Sequence, residues 1–176
     1  MNNFINPENL LKQTGLGAGM HLVDFGAGGG GYALSAAKIV GDTGMVWALD
    51  IREESLSHLA SAARVQRSNN LRTVQCDLDS STATSVPDLS CELAVVSKIL
   101  SQLKHPEYLV RQVWRVLKTG GRVLVVEWRA ERTPLGPPLE QRLPEAKVTE
   151  LFTKQGFKLL GPASTDAYHY GVILQK

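Results

Sequence analysis

Cysteine is scarce in this chain. Cys76 and Cys91 are the only two, and their spacing fits no metal-knuckle pattern. A disulfide-stapled scaffold is therefore excluded, no metal site is expected, and reduced thiols suit a cytoplasmic protein. Charge of one sign is also missing. Nineteen Lys and Arg against 17 Asp and Glu leave a formal net charge of +2, and the basic residues are scattered (Arg64 and Arg67, Arg111 and Arg115, Arg129 and Arg132). Without a concentrated basic stripe no nucleic-acid partner is expected. No apolar run approaches the ~20 residues of a membrane span, so no membrane insertion is expected. The opening Met1-Asn2-Asn3-Phe4-Ile5-Asn6-Pro7 has no charged segment leading into an apolar one, so no secretory leader is expected.

What is present is an ordinary globular composition, 43% hydrophobic and 20% charged, at a length that suits a single domain over 1–176. Strand-like apolar runs alternate with helical periodicity. Strands are predicted over Met20–Phe25, Met45–Leu49, Leu71–Gln75, Leu93–Ser97 and Arg122–Glu127. Helices are predicted over Gly30–Val40, Glu53–Gln66, Pro106–Lys118 and Pro144–Gln155, and a short helix or loop over Asp79–Ser90. Arg129–Leu143 reads as a proline-rich loop. The last two strands, Phe157–Leu160 and Tyr168–Leu174, lie too close for a parallel crossover and should pair as a hairpin. Repeated strand–helix units imply an α/β fold, a mostly parallel sheet with helices on both faces.

Three motifs follow the first three strands in order. Asp24-Phe25-Gly26-Ala27-Gly28-Gly29-Gly30-Gly31 puts a glycine-rich turn between strand and helix, where backbone can approach a ligand closely. Gly26, Gly28 and Gly31 fit a dinucleotide fingerprint, whereas Gly26, Gly28 and Gly30 fit the G-x-G-x-G of methyltransferases. Asp24 favours the second, because a carboxylate sits badly beside a pyrophosphate and well beside an ammonium. Asp50, ending the second strand, can accept both ribose hydroxyls of an adenosine, with Ile51 against the adenine. Asp77 is placed to accept from the adenine amino group, with Leu78 covering the ring.

This ordered series resembles the cofactor site of class I S-adenosylmethionine (SAM) dependent methyltransferases. Trp114-Arg115-Val116-Leu117-Lys118-Thr119-Gly120-Gly121-Arg122 is similar to the L-K-x-G-G segment of the ubiquinone/menaquinone-biosynthesis-like and "type 11" groups. The resemblance covers nearly the whole chain. It implies a Rossmann-like three-layer α/β/α sandwich with seven strands ordered 3-2-1-4-5-7-6, strand 7 antiparallel. It implies SAM as cofactor, S-adenosylhomocysteine as product, and Asp24, Gly26, Ala27, Gly28, Gly30, Asp50, Ile51, Asp77, Leu78 and Ser97 as cofactor-binding residues. Two departures stand out. Cys91-Glu92-Leu93-Ala94 replaces the family's F-D-x-V, and Ser97-Lys98-Ile99-Leu100 replaces the N-P-P-Y of many amino-group methyltransferases. The acceptor is thus expected to be a small molecule. Trp128, the Pro134–Pro138 segment and the Tyr168-His169-Tyr170 segment are expected to wall the acceptor pocket; alternation lets either His169 or the two tyrosines face it, and His169 is the better candidate general base. The alternatives are an NAD(P)-binding Rossmann oxidoreductase and a SAM-binding module without catalysis.

Overall fold

The computed structural model describes residues 5–82 and 84–176. Its sheet has seven strands: β1 (His21–Phe25), β2 (Met45–Asp50), β3 (Leu71–Gln75), β4 (Cys91–Ser97), β5 (Leu117–Trp128), β6 (Lys158–Ala163) and β7 (His169–Gln175). Their order is β3-β2-β1-β4-β5-β7-β6. The first five pair in parallel, and β7 runs antiparallel to both β5 and β6. Five helices complete the layers: α1 (Pro7–Gln13), α2 (Gly31–Val40), α3 (Glu53–Val65), α4 (Pro106–Val116) and α5 (Glu145–Gln155). The expected architecture and strand order are observed.

Side chains on a strand alternate between faces, and the core divides accordingly. Val23, Ala94, Val96, Val123, Val125, Tyr170, Val172 and Leu174 pack with α4 and α5. Leu22, Leu93, Val95, Leu124, Val126 and Ile173 pack with α1 and α2. The same alternation puts Asp24, Ser97, Trp128 and His169 on the α1–α2 face, all at one end of the sheet.

Three local differences from the sequence reading have physical causes. α1 was not foreseen, although its signals are local: Asn6 caps it by accepting from the Asn9 N–H at 3.1 Å, Pro7 opens it, and Leu10 and Leu11 are buried. The predicted Pro106–Lys118 helix stops at Val116, because Leu117 turns extended and pairs with Cys91. β5 therefore starts before the glycine pair, and a register shift between Cys91 and Leu93 absorbs Gly120 at φ +79°. β6 runs on through Gly161-Pro162, which the sequence placed in a loop; it is the edge strand, where proline loses no ladder bond. The stretch expected as a short helix or loop over Asp79–Ser90 is loop in its described residues.

Candidate active site

The glycine turn divides into structural and open positions. Gly26, Gly28 and Gly30 all have positive φ. A Cβ on Gly30 would lie 2.3 Å from Leu59 Cδ1, and one on Gly26 3.0 Å from Ile99 Cγ1. A Cβ on Gly28 meets nothing nearer than Arg52 Nη2 at 3.7 Å. Gly30 is thus needed for packing, and Gly28 borders open space. The N–H groups of Gly26 and Ala27 both donate to the Leu49 carbonyl at 2.8 Å, which pins the start of the turn to β2.

Asp50 ties the turn to the end of β2. One carboxylate oxygen accepts from the Gly28 N–H at 2.8 Å and the other from the Arg52 N–H at 2.9 Å. Burial acts to raise its pKa, but these N–H donors and the Arg52 guanidinium outweigh it and hold the carboxyl below its usual range. Asp50, Ile51, Asp77, Leu78 and Gly26 line one cleft with Ile99 and Leu103, about 320 Å³ in volume. Ile51 stands 58% exposed at the rim, an apolar surface facing space rather than core, while Leu78 is buried. Asp77 is exposed and its Oδ1 accepts from the Asp79 N–H, leaving Oδ2 for another donor. Dimensions and lining suit a nucleoside: four apolar side chains and the carboxylates of Asp50, Asp77 and Asp79.

Next to this cleft lies a group of buried polar atoms that find no partner among the described residues: Asp24 Oδ2, Tyr32 Oη, Ser97 Oγ, Asp166 Oδ2 and His169 Nε2. Buried polar atoms are normally satisfied; the Tyr32 and Ser97 hydroxyls lie close enough to act on each other, and Asp24 Oδ2, Asp166 Oδ2 and His169 Nε2 are left for a ligand. Burial pushes the Asp24 carboxyl up to about 7, against the lowering pull of the Ala33 N–H, and Asp50 adds to the rise. A cation would offset that cost. The ammonium of an amino-acid ligand is such a cation, and Ser97 Oγ is a further polar contact on the same face. The residues therefore fit SAM: an adenosine-sized cleft joined by the glycine turn to an acid without a counter-ion.

His169 is 4% exposed. Its Nδ1 lies 2.7 Å from Asp166 Oδ1, which also accepts the N–H groups of Tyr168 and His169 at 2.9 Å. Burial acts to raise the Asp166 pKa, but these bonds hold it below the carboxylate range, so Nδ1 donates and Nε2 is left as acceptor. Burial is also the main cause that lowers the His169 pKa; Asp166 opposes it, and Lys98 and Arg129 reinforce it. The imidazole packs on Trp128 with ring centroids 4.0 Å apart. Trp128 in turn packs against the loop, since a Cβ on Gly136 would lie 2.6 Å from its ring. Tyr170 points to the other face and donates to the Leu143 carbonyl at 2.8 Å. Of the three wall components expected, Trp128, the loop and His169 come together, and Tyr170 faces away.

Three functional positions were not read from the sequence. Arg142, 8% exposed, holds the loop by donating to the carbonyls of Arg129, Glu131, Leu135 and Pro137 and to the Thr133 hydroxyl. Glu127, 1% exposed, accepts from the Leu100 N–H at 3.0 Å and so anchors the Leu100–Gln102 turn beside the cleft; burial lifts its pKa to about 7. Tyr32 opens α2 and places its hydroxyl among the unpartnered atoms, with Ser97, Asp24 and Asp166 all close enough to affect it. Glu92, whose departure from the family pattern left its role open, sits at the opposite end of the sheet, accepting from the His21 N–H and pairing with Lys118. Burial pushes both cysteine thiols up to about 11, so neither is a ready nucleophile.

Comparison with known proteins places this geometry. A family model described as a methyltransferase domain matches residues 16–171. The chain is 28% identical over 163 residues to the ubiquinone/menaquinone biosynthesis C-methyltransferase of Laribacter hongkongensis, covering 91% of this chain and 61% of that protein. It is 31% identical over 131 residues to the enzyme of the same name from Cupriavidus taiwanensis, covering 71% of this chain and 50% of that one. The chain thus spans less than two thirds of the length of both relatives. Among solved structures, a SAM-dependent methyltransferase from Aquifex aeolicus superposes with a TM-score of 0.90 at 24% identity, over 98% of this chain and 90% of that one. That likeness shows the fold, and the family match does not favour the dinucleotide alternative. By the extent of that match and the order of its seven strands, this chain belongs to the class I SAM-dependent methyltransferase family.

Proposed function

We propose that this protein transfers a methyl group from SAM to a small-molecule acceptor, with His169 as general base when the acceptor must lose a proton. The observation that carries the reading is the buried, unpartnered Asp24 oxygen beside an adenosine-sized cleft. When bound, SAM supplies an electrophilic methyl on a sulfonium whose sulfur leaves with the bonding pair. The chain's own work is then binding, alignment and proton transfer. Asp24 faces the ammonium, Asp50 the ribose, and Ile51, Asp77 and Leu78 the adenine, with Gly26, Ala27, Gly28 and Gly30 shaping the turn and Ser97 closing the far side. Asp166 fixes the Nδ1–H tautomer of His169, so Nε2 can take the acceptor's proton as the new bond to the methyl forms. Trp128 and the loop set by Arg142 keep water from that imidazole.

The test is calorimetry followed by turnover. The protein should bind S-adenosylhomocysteine and should transfer labelled methyl from SAM into a small-molecule metabolite extract. Tight NADH binding without S-adenosylhomocysteine binding would overturn the cofactor assignment. Binding without transfer into any extract fraction would leave a SAM-binding module and reject the enzyme. His169→Ala should retain S-adenosylhomocysteine affinity and lower transfer; undiminished transfer removes it from the chemistry.

A further inference from the structure

We propose that the acceptor is a small anion, its acid group held by Lys98 and Arg129 beside His169. This rests on the methyl-transfer reading above and adds the acceptor's charge class. Strand register brings the two cations together. Lys98 directly follows β4, whose last residue, Ser97, pairs with Val126 of β5, and its own N–H donates to the Val126 carbonyl at 2.8 Å. Arg129 directly follows β5, whose last residue, Trp128, pairs with His169, and its N–H donates to the Tyr168 carbonyl at 2.9 Å. Lys98, Arg129 and His169 therefore meet at the ends of three adjacent strands.

Both cations are half-buried, and neither takes part in an ion pair among the described residues. Other buried or half-buried basic groups here have partners: Arg115 pairs with Asp88, Lys118 with Glu92, and Arg142 has its ring of acceptors. Lys98 also has φ +56°, a left-handed conformation that few side-chain-bearing residues adopt. Such outliers cluster at ligand sites, where the surrounding structure holds them. Neither nearby acid forms an ion pair with Lys98 or Arg129 among the described residues. Asp166 Oδ1 is engaged by His169 and two backbone N–H groups, and Asp24 is buried with its proton affinity raised. The proximity of both cations is felt at His169, whose protonated form they disfavour. An anionic acceptor completes the balance: it pairs with Lys98 and Arg129, and its charge keeps it next to the electrophilic methyl. A neutral acceptor leaves the two half-buried cations without compensation.

The experiment splits a cell extract by ion exchange into anionic, neutral and cationic pools and supplies each with labelled SAM and the intact protein. Label is expected in the anionic pool alone. Sodium acetate should inhibit that transfer, and sodium chloride at equal ionic strength should not. With the acceptor acid identified from its labelled product and supplied unmethylated, Lys98→Gln and Arg129→Gln should each raise its KM by about tenfold, the effect of losing one charge contact, with a smaller change in kcat. Arg129→Lys should recover most of the loss. Circular dichroism and S-adenosylhomocysteine affinity of each variant separate this from misfolding, and the acetate arm needs no variant. Label in the neutral or cationic pool, or an unchanged KM in both folded Gln variants, overturns the proposal and leaves methyl transfer standing. No label from any pool, with S-adenosylhomocysteine bound, overturns the methyl-transfer reading and this inference with it.

Discussion

Replacing Gly30 by alanine tests how the glycine turn is built. Gly30 sits at φ +78°, and the new Cβ would lie 2.3 Å from Leu59 Cδ1, with Cγ and Cδ2 at 3.2 and 3.3 Å. Leu59 is 1% exposed and packed between α2 and the sheet, so it has nowhere to retreat. The left-handed backbone costs about 1–2 kcal/mol for a residue with a Cβ. Overpacking adds about 1–3 kcal/mol. The total, about 2–5 kcal/mol, is a large share of a domain's stability. At about 2–4 °C per kcal/mol for a chain of this size, the melting temperature should fall by about 4–20 °C. The assay is urea and thermal unfolding of the ligand-free protein. The diagnostic is the double variant Gly30→Ala/Leu59→Ala, in which the clash is relieved. The two changes should couple by about 1–3 kcal/mol, the double variant being less destabilised than the sum of the singles. Additivity within about 0.5 kcal/mol would refute the packing argument. Gly28→Val is the counterpart: at φ +51° it bears a backbone cost too, but its Cβ meets nothing nearer than 3.7 Å, so it should fold without the clash and lose S-adenosylhomocysteine binding.

Three further outcomes are expected. Asp50→Ala should weaken S-adenosylhomocysteine binding by about 1.5–3 kcal/mol, the range for hydrogen bonds to a charged group; wild-type affinity in calorimetry would remove Asp50 from the site. Asp24 and Glu127 have folded pKa values raised to about 7 from 3.8 and 4.5, so the folded state retains protons that the unfolded chain has released. Their contribution is fully present at low pH and lost as pH rises through about 7, so the ligand-free protein should melt lower at about pH 8 than at about pH 6. His169, with its pKa lowered, acts in the opposite direction through a single group, and the pair Asp24→Asn/Glu127→Gln should flatten the decline; an unchanged profile would show that neither group is protonated when folded. Asp166→Asn should lower kcat about 10²-fold with little change in the KM for SAM, because His169 loses the partner that fixes its tautomer; a full-rate variant would show that the dyad is structural.

The parts of the site visible in the sequence are those whose signal is local. Asp24 and Asp50 lie at the ends of β1 and β2 and Asp77 just beyond β3, where the apolar runs of the sequence stop, and Gly26 to Gly30 mark a turn. The candidate adenosine cleft is assembled in that same order. Glu127, Tyr32 and Arg142 escaped because their roles depend on residues outside their own elements. Nothing near Glu127 says that the Leu100 N–H will meet it, and a proline-rich loop does not announce that one arginine will hold it together. Fold boundaries failed for the converse reason. Gly120 and Gly161 carry strong local break signals, and strand pairing overrode both. α1 was missed although Asn6 and Pro7 mark its start, because one short turn of apolar residues shows too little periodicity.

The loop from Arg129 to Arg142 resembles a macrocycle closed around a cation. Its guanidinium contacts are four backbone carbonyls and one hydroxyl, and none of these acceptors changes charge with pH. Arginine itself stays protonated throughout. At the same end of the sheet, Asp24, Glu127 and His169 all have displaced pKa values, Asp24 and Glu127 raised to about 7 and His169 lowered. The proposed pocket wall thus keeps its own hydrogen bonds while these groups titrate. A pH profile of methyl transfer would then report protonation at the reacting centre, free of any loosening of the loop that shelters it.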